Sequence, residues 1–176
     1  FIKFADIESE VLFDKQQLLD AAKNKGYTID QTTTYDEAFY QILLQEIEPH
    51  LGKNQPTFLF DYPVSQAALA KIKTSDKRVA ERFELYIGGM ELANAFSELT
   101  NWQEQQSRLD AQQQYRRDHH QSSWPIDDQF IAALKQGLPA CAGISLGIDR
   151  LLMLLSNRES ITEVLQFPAN RLFSTS

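Results

Sequence analysis

The stretch "FELYIGGMELANAFSEL", residues 83–99, constrains the fold more than any other. Phe83, Leu85 and Ile87 alternate with Glu84 and Tyr86 at the two-residue period of a strand. "GG" at 88 and 89 suits a two-residue hairpin turn, because tight primed turns favour residues that tolerate positive φ. Residues 83–99 are therefore expected to form two antiparallel strands. The second carries Glu91, Asn94 and Glu98, where a plain hairpin needs neither carboxylates nor an amide.

The first third of the chain reads as helical. "DKQQLLDAAKNKG" offers Asp14 as N-cap and Gly26 as the C-terminal glycine. "TYDEAFYQILLQEIEPHLG" begins with a capping box, Thr34 with Glu37, and lays Phe39, Ile42, Leu43 and Ile47 along one helical face. Phe58, Leu59 and Phe60 then make a short apolar strand between Pro56 and Pro63, and "SQAALAKI" is expected to be a short helix. After Thr100, an expected N-cap, "WQEQQSRLDAQQQYRRD" holds helix formers and no breaker. A polar loop, "HHQSSWP", leads to a helix in "IDDQFIAALKQG" closed by Gly137, and "ACAGISLGIDRLLMLL" reads as a small-residue strand running into an apolar helix. Strands meeting helices without βαβ alternation predict an α+β domain, an antiparallel sheet flanked by helices, over residues 1–176.

Bulk properties narrow the functional classes. The net charge of −7 disfavours a general basic face for nucleic acid, though a local basic groove stays open. No apolar run reaches the roughly 18 residues of a membrane span, and "FIKFADIESE" lacks the pattern of a secretory signal. Cys141 is the single cysteine, so no intrachain disulfide can form and a cytoplasmic address is expected. It reads as a buried small residue. His119 and His120 read as loop histidines, and Arg116 and Arg117 as a solvated helix face. No Walker loop, dinucleotide fingerprint or nucleophile elbow is present.

Two places can carry chemistry. Glu91 and Glu98 could hold a divalent cation, since Mg²⁺ takes one or two carboxylates plus substrate phosphates. Seven residues apart on a regular strand, they point to opposite faces and can share a site only across a bulge near Asn94 and Ala95. The alternative is two solvated glutamates. In "GISLGIDRL", Gly143 and Gly147 either admit a ligand to the backbone or mark close strand packing. Asp149 reads as a helix-start residue. Arg150 opposes the helix dipole there, at about 0.3–1 kcal/mol when exposed, so it either holds phosphate or pairs with a surface carboxylate.

Together, "RFELYIGGMELANAFSEL" and "AGISLGIDRL" resemble the second half of a class II aminoacyl-tRNA synthetase catalytic domain of the lysyl type. The second segment is similar to that class's third signature motif. "FLFDYPVSQAALAKI", "EQQSRL" and "PIDDQFIAALKQGLPACAG" resemble further the lysyl-tRNA synthetase paralogue that modifies elongation factor P. That family activates (R)-β-lysine with ATP as an aminoacyl-adenylate and transfers it to a lysine of elongation factor P. By this resemblance, Glu91 and Leu92 lie along ATP, and the Glu91 carboxylate holds Mg²⁺. Glu98 and Asn94 face the substrate amino acid, Gly147 lies against the nucleotide, and Arg150 is the motif arginine that clamps it. Ser145 departs from the Gly of lysyl-tRNA synthetases and the Ala of the paralogue, which bears on the choice between lysine and (R)-β-lysine.

The resemblance leaves two rivals: part of an ordinary lysyl-tRNA synthetase charging tRNA-Lys, and a non-catalytic paralogue kept as a binding module. The class's first motif, used in homodimer formation, and its second, which holds the α-phosphate and stacks adenine, are expected before Phe1. The chain thus reads as the C-terminal part of such a domain. The 176-residue chain alone is expected to form no adenylate at a useful rate. Robust lysine-dependent ATP–pyrophosphate exchange by this chain would overturn that expectation.

Overall fold

Local signals start most of the helices. In the computed structural model, which describes residues 1–169, a single turn α1 (Ile2–Ala5) precedes α2 (Lys15–Asn24). The Asp14 side chain accepts the Gln17 N–H at 2.9 Å, and Gly26 follows the helix at φ +90°. The capping box of α3 (Tyr35–Ile42) forms as expected, with Thr34 and Glu37 bonding reciprocally. That helix continues through a π turn, Leu43–Ile47, and a 3-10 turn, Glu48–His50. The predicted stripe of Phe39, Ile42, Leu43 and Ile47 is buried along its length.

Four strands, β1 (Thr57–Pro63), β2 (Val79–Ile87), β3 (Met90–Ser97) and β4 (Ala142–Leu146), form one antiparallel sheet in the order β1-β2-β3-β4. Gly88 and Gly89 make the β2–β3 turn at φ 62° and 78°, the left-handed values that such a turn requires. The remaining helices are α4 (Trp102–Asp118), α5 (Asp128–Gln136) and α6 (Ile148–Ser156). The α+β class read from the sequence is the fold observed. Among the described residues no helix is long and apolar enough to cross a membrane.

The chain gathers into two compact units. Among the described residues, the first comprises 1–59, 84–94 and 144–169; the second comprises 60–83 and 95–143. In the first, Leu18, Leu19 and Ala22 of α2 meet Ala38, Phe39 and Ile42 of α3 in one apolar core, with Leu43, Ile47 and Leu51 beside them. Tyr86 joins that core from β2 and is only 2% exposed. The second unit has a smaller cluster, Ala67, Ala70 and Ala80, with Phe96 packed on it. Arg108 of α4 secures this region, its Nη1 donating to the carbonyls of Ala68 (3.0 Å) and Ala70 (2.9 Å).

Three sequence expectations are corrected. "SQAALAKI" is not a helix: Val64–Gln66 makes one 3-10 turn, Ala68 sits at φ 49°, and Ala70 and Ile72 form antiparallel bridges with Glu98 and Ala80. Backbone pairing with neighbouring strands overrides the helix propensity of an alanine-rich stretch. The N-cap of α4 is Asn101, whose Oδ1 accepts the Glu104 N–H at 3.0 Å, and not Thr100. Cys141 is exposed rather than buried, because it lies just before β4, a strand at the sheet's edge.

Gly52 is the position where the first unit admits no side chain. It adopts φ +68°, its carbonyl accepts the Gly88 N–H at 2.8 Å, and an added Cβ would come within 2.6 Å of the Tyr86 carbonyl carbon. Gly52→Ala should therefore cost about 2–4 kcal/mol, strain and backbone displacement together. Gly26→Ala, at φ +90° but with nothing within 4 Å, should cost clearly less. Denaturant unfolding of the two variants checks the difference; equal losses would refute it.

Candidate functional site

The hairpin and the start of α6 build one cleft within the first unit. Its volume is about 220 Å³, and its lining includes Glu91, Leu92, Asn94, Ser145, Gly147 and Arg150. The Gly147 N–H donates to the Leu92 carbonyl at 2.9 Å, which registers the end of β4 on β3. Gly147 is also the N-cap of α6 and brings no side-chain cap. Asp149 and Arg150 thus enter the cleft from the first helical turn.

Arg150 is held by the strand opposite. Its Nη1 donates to the Glu91 carbonyl at 2.6 Å and stands 3.9 Å from the Glu91 carboxylate. The carbonyl contact offsets the unfavourable placement of a cation at a helix start. Among the described residues the Glu91 carboxylate accepts no hydrogen bond, and its one ion pair is at the edge of contact range. Both side chains are partly exposed, so a ligand in the cleft can reach them.

A second carboxylate is spent differently. Glu84 is 8% exposed; its Oε2 accepts the Tyr86 hydroxyl at 2.8 Å and its Oε1 the Asn94 amide at 2.9 Å. Asn94 thereby ties the cleft to a buried polar network. Burial first, then the Glu84 carboxylate, with Glu48 and Glu91 adding to it, pushes the Tyr86 hydroxyl far above its ordinary range. The Glu48 carboxyl is likewise raised, first by burial and then by Glu84 and Glu91, with Arg150 opposing. Three carboxylates and one arginine therefore share one electrostatic neighbourhood.

Six of the expected site residues, Glu91, Leu92, Asn94, Ser145, Gly147 and Arg150, are brought together. Glu98 belongs to the second unit. There its N–H donates to the Cys141 carbonyl at 3.0 Å, and its carboxylate occupies the space a Gly143 Cβ would take, 2.7 Å from Oε1. Gly143 therefore marks room for a side chain. Gly147 differs: the three nearest atoms an added Cβ would meet all belong to the Arg150 side chain, at ordinary contact distances of 3.4 Å or more, and its φ is an ordinary −75°. Among the described residues no three His, Cys, Asp or Glu side chains cluster as a metal site.

The sequence reading missed Glu84 and Glu48. Strand alternation assigns Glu84 to the polar side of the hairpin, yet Glu84 and Tyr86 are the buried pair while Phe83, Leu85 and Ile87 are half-buried. The available signal was Asn94, an amide across a two-residue turn from a carboxylate. Nothing in the local sequence marked Glu48.

The comparison with known proteins decides the family. Residues 9–171 match the family described as tRNA synthetases class II (D, K and N). The chain belongs to that family. Among curated relatives it is similar to elongation factor P–(R)-β-lysine ligase of Hamiltonella defensa, 45% identical over 160 residues, covering 90% of this chain and 49% of the relative. Ligases of the same name from Proteus mirabilis (43% over 173 residues, 97% and 53%) and Salmonella gallinarum (46% over 160 residues, 90% and 49%) match likewise. The class II chain thus spans about half the length of the curated relatives it matches.

The raised Glu48 carboxyl gives a pH test. A carboxyl whose folded pKa lies above its unfolded value favours folding when protonated, so that stability is present at low pH and lost as pH rises through the folded pKa. Glu48→Gln should raise the melting temperature at pH 7, and the gain should vanish once pH falls below 4.5, the ordinary glutamate value. Thermal unfolding at both pH values checks this; a gain that persists in acid would contradict it.

Proposed function

We propose that this class II chain is the C-terminal part of an ATP-dependent ligase that activates lysine or (R)-β-lysine as an aminoacyl-adenylate and transfers it to a lysine of elongation factor P. The supporting observation is the single cleft that gathers Glu91, Leu92, Asn94, Ser145, Gly147 and Arg150. The names of the relatives favour this acceptor over tRNA-Lys. A cytoplasmic address and a homodimeric parent enzyme belong to the same proposal.

In this reading Arg150 clamps the nucleotide with a fork held by the Glu91 carbonyl. Leu92 and Gly147 line the nucleotide. Neither backbone conformation nor packing demands glycine at 147, so the missing side chain is best explained by a ligand that approaches there. A Mg²⁺ ion fits the Glu91 carboxylate, which accepts no hydrogen bond among the described residues, whereas Glu84 is taken up by Tyr86 and Asn94. When bound, the ion would neutralise phosphate charge. Glu98, the second carboxylate of the expected metal pair, is assigned to the substrate ammonium; Asn94 and Ser145 are assigned to the amino-acid pocket. Adenylate formation then needs positioning and charge neutralisation and no protein nucleophile.

The test joins this chain to the N-terminal half of the Salmonella relative. The fusion should catalyse amino-acid-dependent ATP–pyrophosphate exchange and label elongation factor P, not tRNA, with β-lysine. Arg150→Ala should lower kcat/KM for exchange by about 10²–10³-fold. Gly147→Ala should weaken ATP binding while leaving stability within about 0.5 kcal/mol. Failure of the fusion to bind Mg-ATP or a lysyl-adenylate analogue would replace this reading with a binding module, and labelling of tRNA alone would replace it with a synthetase.

A further inference from the structure

Glu98 and Gly143, both in the second unit, are matched to each other. The backbone of Glu98 is held on both sides: it forms an antiparallel bridge with Ala70, and its N–H donates to the Cys141 carbonyl at 3.0 Å. The next residue is held as well, the Leu99 N–H donating to the Leu69 carbonyl at 2.9 Å. With the main chain fixed in this way, only side-chain rotation can move the Glu98 carboxylate. That carboxylate lies over Gly143, where an added Cβ would stand 2.7 Å from Oε1 and 3.9 Å from Cδ. Among the described residues no other atom beyond the adjoining ones lies within 4 Å of that Cβ. Gly143 also sits in the extended backbone of β4, outside the left-handed region. Neither backbone conformation nor main-chain packing demands glycine at 143; the Glu98 carboxylate does.

Glu98 is half-buried, and among the described residues its carboxylate accepts no hydrogen bond and forms no ion pair. A carboxylate can only accept, so drawing one partly out of water is unfavourable until a ligand brings the donor. We propose that Gly143 is a positioning residue for amino-acid recognition. Its missing side chain sets where the Glu98 carboxylate stands, and so where the ammonium end of a lysine-like substrate is held. This role rests on the reading proposed above, in which Glu98 meets the substrate ammonium. It separates Gly143 from Gly147 four residues on. A methyl group at 147 meets Arg150 only at ordinary contact distance, whereas one at 143 forces the carboxylate to move. What must give way at 143 is the free end of a flexible side chain, so the change costs little in folding and much in recognition.

The test uses the fusion described above. Gly143→Ala should raise the KM for lysine or (R)-β-lysine in ATP–pyrophosphate exchange by about 10–100-fold. The KM for ATP should stay within about twofold, and the thermal unfolding midpoint should not change. Preference for lysine over norleucine, whose terminal methyl replaces the ammonium, should shrink. In a Glu98→Asp background, where the shorter side chain draws back from position 143, the same change should raise the amino-acid KM by less than about twofold. An undiminished effect there, or a parallel rise in both KM values, would overturn the proposal. So would a lowered unfolding midpoint, which would make Gly143 merely structural. Crystal structures of the 176-residue chain and its Gly143→Ala variant give a readout without activity. Oε1 of Glu98 should move by at least about 0.7 Å, from 2.7 Å out to the 3.4 Å where ordinary contact begins. A carboxylate that stays in place would overturn the role of Gly143 alone. Absence of exchange in the unchanged fusion would instead reject the proposed reaction, so the two failures are distinct.

Discussion

Tyr86 joins the apolar core of the first unit to its polar cleft, and the arrangement of both depends on it. Its ring is buried among the side chains that α2 and α3 contribute. Its backbone leaves no room for anything larger than glycine at position 52. Its hydroxyl cannot reach water, so it donates to Glu84, whose other oxygen holds the Asn94 amide. An unsatisfied buried hydroxyl would cost about 1–3 kcal/mol, and an unpaired buried carboxylate more, so these partners stand or fall together. The hairpin is therefore fastened from both sides, by packing at Gly52 and by hydrogen bonds at Glu84.

The cleft inherits its order from that fastening. Glu91 and Leu92 follow the Gly-Gly turn directly, and the Leu92 carbonyl receives the Gly147 N–H that starts α6. Arg150 then reaches back to the Glu91 carbonyl. Acidic charge from Glu48, Glu84 and Glu91 gathers around this point with Arg150 as its counterweight, which explains a cation in the first turn of a helix. A site so arranged has a partly exposed carboxylate and a partly exposed guanidinium next to a glycine that the protein's own packing does not demand. Such a set suits a phosphate-bearing ligand with a divalent ion.

Most of the architecture was legible from local signals. Capping at Asp14 and Thr34, the paired glycines at 88 and 89, and the apolar stripe of α3 are short-range chemistry, and they form as read. Two of the failures come from partners that lie outside the local stretch. Residues 65–72 have helix-forming composition, yet Ala70 bridges to Glu98 and Ile72 to Ala80, and those partners cannot be read from composition. Glu84 has the periodicity of a solvent-facing residue and is nevertheless buried, since Tyr86 and Asn94 supply its hydrogen bonds.

By itself, then, the sequence determined the secondary structure wherever turn and cap geometry decides it, the α+β class, and the identities of Glu91, Leu92, Asn94, Ser145, Gly147 and Arg150 as residues worth watching. Only the tertiary structure decided that these six line one cleft, that Asn94 is committed to a buried carboxylate, and that Arg150 is held by a backbone carbonyl. It alone revealed that Gly143 makes room for the Glu98 carboxylate. The physical reason is range: caps and turns are settled within a few residues, whereas burial and charge pairing depend on segments some sixty residues apart, such as Glu91 and Arg150, meeting in space.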